Sequence, residues 1–135
     1  MFIRPEYQAG DTITIQKRIT DEDAALTYGS GELDNMLATP SLVALMIEAS
    51  SKLIDSRLQQ EYTSAGLEVQ VRHLNPSPIG NTVSLKVTIR EVSGNHILLD
   101  MEAYDELGLI GTGSHERVIV SKDGIKAKAA ARIVK

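Results

Sequence analysis

Few residues in this chain could do chemistry, and their positions relative to one another narrow what that chemistry is. His73 ends the segment Gly66-Leu-Glu-Val-Gln-Val-Arg-His73, where alternation puts it on the apolar face with Leu67, Val69 and Val71. An imidazole there either bonds to the backbone as a core residue or serves a ligand as a general base or hydrogen-bond donor. Thr39 precedes Pro40 at the start of an apolar run. A Thr-Pro pair suits the N-cap and first position of a helix, and the hydroxyl could instead orient a substrate or attack it if a base stands nearby. Glu48 is the one carboxylate in the apolar half of that run, a candidate base if buried, although Lys52 four residues on offers a surface ion pair. Gly111-Thr-Gly-Ser-His-Glu-Arg117 sets His115 and Arg117 on one strand face, where an Arg could hold a phosphate or carboxylate. Its glycines mark the close approach of another backbone or of a ligand, and a kinked strand with charges at its rim reads equally well.

The elements that must position these residues follow from periodicity. Asp11 to Ile19 alternates as a first strand, and Thr20-Asp-Glu-Asp opens a short helix to about Tyr28. Gly29-Ser-Gly31 ends it, and residues 32–38 read as an irregular lid or loop. From Thr39 to about Gln60, Leu42, Leu45, Met46, Ala49 and Leu53 form the stripe of a helix, and Val43, Ile47 and Ile54 widen it until the first half is apolar nearly all round. Four strands are expected after it, in 66–73, 82–92, 96–104 and 109–120, as an antiparallel meander. Pro76-Ser-Pro-Ile-Gly80, Ser93-Gly-Asn95 and Asp105-Glu-Leu-Gly108 supply the turns. The fold class is α+β: one domain over 1–135 whose curved antiparallel sheet wraps one long central helix, with 122–135 as a C-terminal tail, frayed or partly ordered. Open sheet edges and few aromatic residues favour a homodimer or a higher homo-oligomer.

Composition excludes several classes. A net charge of −4 opposes nucleic acid as a partner, since that affinity rests on clustered Lys and Arg. The tail, with five basic residues against one acid, could meet an anion such as a nucleotide phosphate. Zero cysteines exclude disulfides and a thiol nucleophile and fit the cytoplasm. The three histidines have no metal-ligand spacing, so no metal is expected. The start Met1-Phe-Ile-Arg-Pro-Glu lacks the pattern of a secretory signal, and the apolar stretch Leu42 to Ile47 is too short to span a bilayer.

Thr39-Pro-Ser-Leu-Val-Ala-Leu-Met46, Gly66-Leu-Glu-Val-Gln-Val-Arg-His73, Gly80 and Gly113-Ser-His-Glu-Arg117, in this order, resemble the hotdog-fold thioesterases, and within them the fluoroacetyl-CoA thioesterase-like branch. The resemblance runs from the first strand to about Val120. It implies a hotdog fold, a dimer with acyl-thioester sites at its interface, no cofactor beyond the coenzyme A of the substrate, and hydrolysis of a small acyl thioester. It assigns catalysis to Thr39 and His73, and substrate or coenzyme A contacts to Gly66, His73 and Arg117. The branch also places a Glu eight residues after the Thr. Here that position is Ile47, and the carboxylate is Glu48, rotated about 100° away round a helix. Leu33, Asn35 and Met36 stand where the branch carries an aromatic lid, so fluoroacetyl-CoA is not implied as substrate. The alternative function, which needs the pocket but no carboxylate, is a non-catalytic hotdog protein that binds acyl-CoA or a related ligand.

Overall fold

The computed structural model describes residues 4–133. One long helix, α1 (Thr39–Asp55), lies against a five-stranded antiparallel sheet of β1 (Thr12–Arg18), β2 (Tyr62–His73), β3 (Thr82–Ser93), β4 (His96–Asp105) and β5 (Gly108–Ser121). Two single 3-10 turns, Asp21–Asp23 and Ala25–Thr27, stand where the short helix was expected, and a second helix, α2 (Lys122–Ala131), follows β5.

Alternation explains the layer between helix and sheet. Val83, Leu85, Val87 and Ile89 of β3, and Ile97, Leu99, Met101 and Ala103 of β4, are at most 1 % exposed. Leu42, Met46, Ala49 and Ile54 of α1 meet them and are wholly buried. Each such aliphatic side chain contributes about 1.5–3 kcal/mol on burial. Gly94, with φ of 59°, takes the first central position of the two-residue β3–β4 hairpin, the conformation a type II′ turn demands.

The strand order is β1-β3-β4-β5-β2, which corrects the four-strand meander. Only β3, β4 and β5 follow one another; β2 crosses to the far side and pairs with β5. The connection 74–81 is too long for a tight hairpin. Its prolines have no N–H for a ladder, and it bonds instead to the segment before α1, through Leu37 N–H to Ser77 O (2.9 Å) and Ile79 N–H to Asn35 O (3.1 Å). Among the described residues β1 and β2 are therefore the sheet edges.

Three more boundaries differ from expectation. α1 ends at Asp55 rather than Gln60, and β2 begins at Tyr62 rather than Gly66, with a bulge between Gly66 and Glu68. The tail is helical from Lys122 to Ala131, capped by Ser121, whose Oγ accepts from the Gly124 N–H at 3.0 Å; Val134 and Lys135 lie outside the described residues, as do Met1 to Ile3. No helix among the described residues is long and apolar enough to cross a membrane.

Candidate active site

Thr39 is not the cap of α1. Ala38 holds that position in extended conformation, its N–H bonded to Asp23 O at 2.8 Å, and Thr39-Pro40 form the first helical positions. The Thr39 hydroxyl is thereby free of the backbone, and its Oγ1 lies 2.8 Å from His73 Nδ1. This contact joins the start of α1 to the end of β2.

Two local features hold His73 at that point. Immediately after it, the N–H groups of Leu74 and Asn75 both donate to Ile110 O, and Asn75 Nδ2 donates to Leu109 O at 2.8 Å. Across the ladder its partner is Gly111, where a Cβ would stand 3.0 Å from Leu42 Cδ2 and 3.1 Å from Arg72 O. At Gly113, opposite Val71, a Cβ would fall 2.5 Å from Gln70 O. The two glycines thus let α1 and β2 close on β5, as the close-approach reading of their strand anticipated, and the first turn of the helix reaches the histidine.

Burial lowers the pKa of His73 below its usual 6.5, partly opposed by the backbone of Asn75. The ring is neutral at neutral pH. With Nδ1 accepting from the threonine hydroxyl, Nε2 carries the proton, and Nε2 is buried with no partner. A donor left in that state costs about 1–3 kcal/mol, relieved when an acceptor docks. The pair faces a recess of about 250 Å³ walled by Ala25, Leu33, Met36 and Leu37.

The other predicted residues gather elsewhere. Gly66, His115 and Arg117 meet Ile47 and Val69 in a second recess, of about 340 Å³. Gly66 and His73 are seven places apart on one strand, roughly 20 Å at the ordinary rise. A Cβ at Gly66 would come within 3.3 Å of His115 Nε2 and 3.5 Å of Arg117 Nη1, so the bare glycine keeps both groups open. Arg117, 6 % exposed, donates to Ser64 Oγ (2.8 Å) and Ser64 O (2.6 Å). His115 is 3 % exposed, and burial together with the neighbouring guanidinium pushes its pKa down to about 4. Glu48 lies on the solvent side of α1, its side chain half exposed, and pairs with Lys52 at 3.3 Å. Ile47, not Glu48, lines the recess.

The sequence reading missed Ser64 and Asp55, which carry Arg117. Asp55 Oδ1 accepts from both Ser64 N–H (2.9 Å) and Ser64 Oγ (2.7 Å), so the carboxylate holds the serine that holds the guanidinium. The signal was the run Tyr62-Thr-Ser64, strand-forming residues left outside the expected strand.

Comparison with known proteins gives a consistent result. Residues 19–123 match the profile of the family described as fluoroacetyl-CoA-specific thioesterase (FlK). A fluoroacetyl-CoA thioesterase of Streptantibioticus cattleyicolor is 30% identical over 97 residues, which span 72% of this chain and 70% of that protein. Among solved structures, a thioesterase superfamily member from Thermus thermophilus is 29% identical with a TM-score of 0.86, covering 96% of this chain and 94% of its own. A hot-dog-like protein from Thermanaerovibrio acidaminovorans is 26% identical with a TM-score of 0.88, covering 96% and 95%.

Proposed function

The chain belongs to the fluoroacetyl-CoA-specific thioesterase family and has the hotdog fold, and from that premise we propose that it hydrolyses a small acyl-CoA thioester. The single observation that carries this reading is the 2.8 Å contact between Thr39 Oγ1 and His73 Nδ1 beside an apolar recess. A neutral imidazole bonded to a hydroxyl is a general base in place: His73 takes the proton from Thr39, or from a water in the same position, as oxygen attacks the thioester carbonyl. Protonated, it then hands that proton to the departing coenzyme A sulfur. Where Thr39 is the attacking group, a water deprotonated by His73 next cleaves the acyl-threonine ester, releasing the acid and restoring the hydroxyl. The positive end of the α1 dipole, at Thr39, stabilises the developing oxyanion. Side chains and water suffice, so the reaction needs no metal or prosthetic group. Leu33 and Met36 make an aliphatic wall suited to a short acyl group without selecting fluorine.

The second recess enters through a homodimer. In one protomer Gly66 on β2, and Arg117 paired with it on β5, are too far along the sheet to meet an acyl group held at His73. Antiparallel pairing of two β2 edges about a two-fold axis between Val69 and Gln70 brings Gly66 of one copy opposite His73 of the other. Leu67 and Val69, 56 % and 37 % exposed, are the apolar residues such pairing covers. The absence of cysteine fits a cytoplasmic setting for this dimer.

Steady-state turnover of a panel of acyl-CoA thioesters tests the function. His73→Ala is expected to lower kcat by at least about 10²-fold with the circular dichroism of the fold unchanged. Tight binding of acyl-CoA by the wild-type chain without turnover above background would favour the alternative, a non-catalytic acyl-CoA-binding protein.

A further inference from the structure

The recess around Arg117 holds a buried cation and no anion in contact with it. Nε and Nη2 of the guanidinium are taken by the neutral oxygens of Ser64, and Nη1 turns toward Gly66 and the open space. None of the ion pairs among the described residues includes Arg117. Asp55 braces Ser64 and acts on the guanidinium as a nearby charge, but makes no ion pair with it. Beside Nη1 stands His115, 97 % buried, with its Nδ1 shut off from solvent and unpartnered. The walls are apolar at Ile47, Leu67 and Val69; at the rim, the Glu68 carboxylate accepts from Gln70 Nε2 at 3.2 Å. Ile47 gives the helix side of the recess no carboxylate to meet the guanidinium.

We propose that the recess of Ile47, Gly66, His115 and Arg117 binds a carboxylate carried at the far end of the acyl group, so that the substrates are ω-carboxyacyl thioesters. This assignment rests on the hydrolase reading above and deepens it. The guanidinium supplies charge and direction, strengthened by burial. A neutral imidazole adds an N–H donor without a second positive charge. The same acyl chain ending in methyl leaves the buried cation unpaired, which is the condition for strong discrimination by an enzyme site.

The test compares chain-matched pairs, succinyl-CoA with butyryl-CoA and glutaryl-CoA with valeryl-CoA, and repeats each on pantetheine, which lacks the nucleotide phosphates. At least about ten-fold higher kcat/KM is expected for the carboxyl-bearing member of a pair on both carriers. Arg117→Gln should erase the difference. Ile47→Glu should erase it too, by placing an internal carboxylate opposite Arg117 at an open position that does not endanger the fold. Equal rates, a preference for the neutral acyl group, or an Ile47→Glu variant that keeps the preference would each overturn the proposal. So would a dependence on Arg117 seen only with coenzyme A esters, which would mark the anion as a phosphate. If no thioester turns over, the hydrolase reading fails and binding decides the recess separately. Calorimetry with the carboxypropyl and butyl thioethers of coenzyme A would then support the assignment by tighter binding of the former, or overturn it by equal binding.

Discussion

His73 and His115 stand on neighbouring strands, on the face that α1 covers, and each keeps one ring nitrogen buried without a partner. Their surroundings separate them. His73 has a hydroxyl at 2.8 Å and no charge beside it, so its pKa falls below 6.5 by burial alone. His115 is more deeply buried and also has a guanidinium beside it, and its pKa falls to about 4. The first, neutral and in contact with a hydroxyl, is placed to accept and return its proton; the second stays neutral and can only donate or accept a hydrogen bond. One residue type on one face of one sheet stands in two settings, set apart by depth of burial, by the neighbouring charge and by the hydroxyl in contact.

The largest effect expected from this comparison comes from dividing the two regions between subunits. On carboxyl-bearing thioesters the His73→Ala homodimer should be inactive and the Arg117→Gln homodimer reduced to the rate of the neutral acyl partner. Mixing and refolding the two should raise activity above either parent and restore the carboxylate preference, because one site in each mixed dimer is intact. No recovery would mean that the two recesses do not serve a common substrate.

Next in size is Thr39→Val, which removes the hydroxyl and keeps the shape. We expect kcat to drop about 10- to 100-fold. The melting temperature should stay within a few degrees, because Ala38 is the cap. A loss of about 1 kcal/mol of stability, the usual value of a lost cap, would return Thr39 to a structural role.

A pH series separates the histidines directly. Because only neutral His73 accepts a proton, kcat/KM should rise with pH and reach half its plateau below 6.5. His115→Gln should leave that midpoint in place, since His115 is already neutral there. Stability obeys the same sign. Both folded pKa values lie below the unfolded value of 6.5, so the unfolded chain binds more protons on acidification. The contribution is complete above pH 6.5 and is lost as pH falls toward 4. Urea midpoints across that range should fall less steeply in His115→Gln than in the wild type.

The smallest effect should come from Glu48→Gln. This side chain makes one exposed pair with Lys52, so stability should change by less than about 0.5 kcal/mol and kcat by less than two-fold. A ten-fold loss of kcat would show that the carboxylate reaches the site by a route the protomer does not display.

Periodicity made β1, β3, β4, β5 and the body of α1 legible, because each buries one face and the burial repeats at the period of its backbone. The position of β2 was not legible. Strand order depends on which edges meet across the sheet, and a local pattern carries no record of that. α2 escaped because none of its residues is buried, leaving no stripe to read. At the site, residue types made Thr39, His73 and Arg117 candidates, and the family resemblance gave them their roles. What they could not supply was that Thr39 sits one place inside the helix, or that Asp55 and Ser64 brace the arginine; both are facts of three-dimensional contact.

Gly111 and Gly113 have a consequence for how such an enzyme can diverge. A methyl group at either position would strike Leu42 or a β2 carbonyl, so the strand that fastens the helix to the histidine is closed to substitution. Ile47 looks into open space and is not under that constraint. The Thr39–His73 contact can therefore be inherited unchanged while position 47, a wall of the second recess, is free to vary.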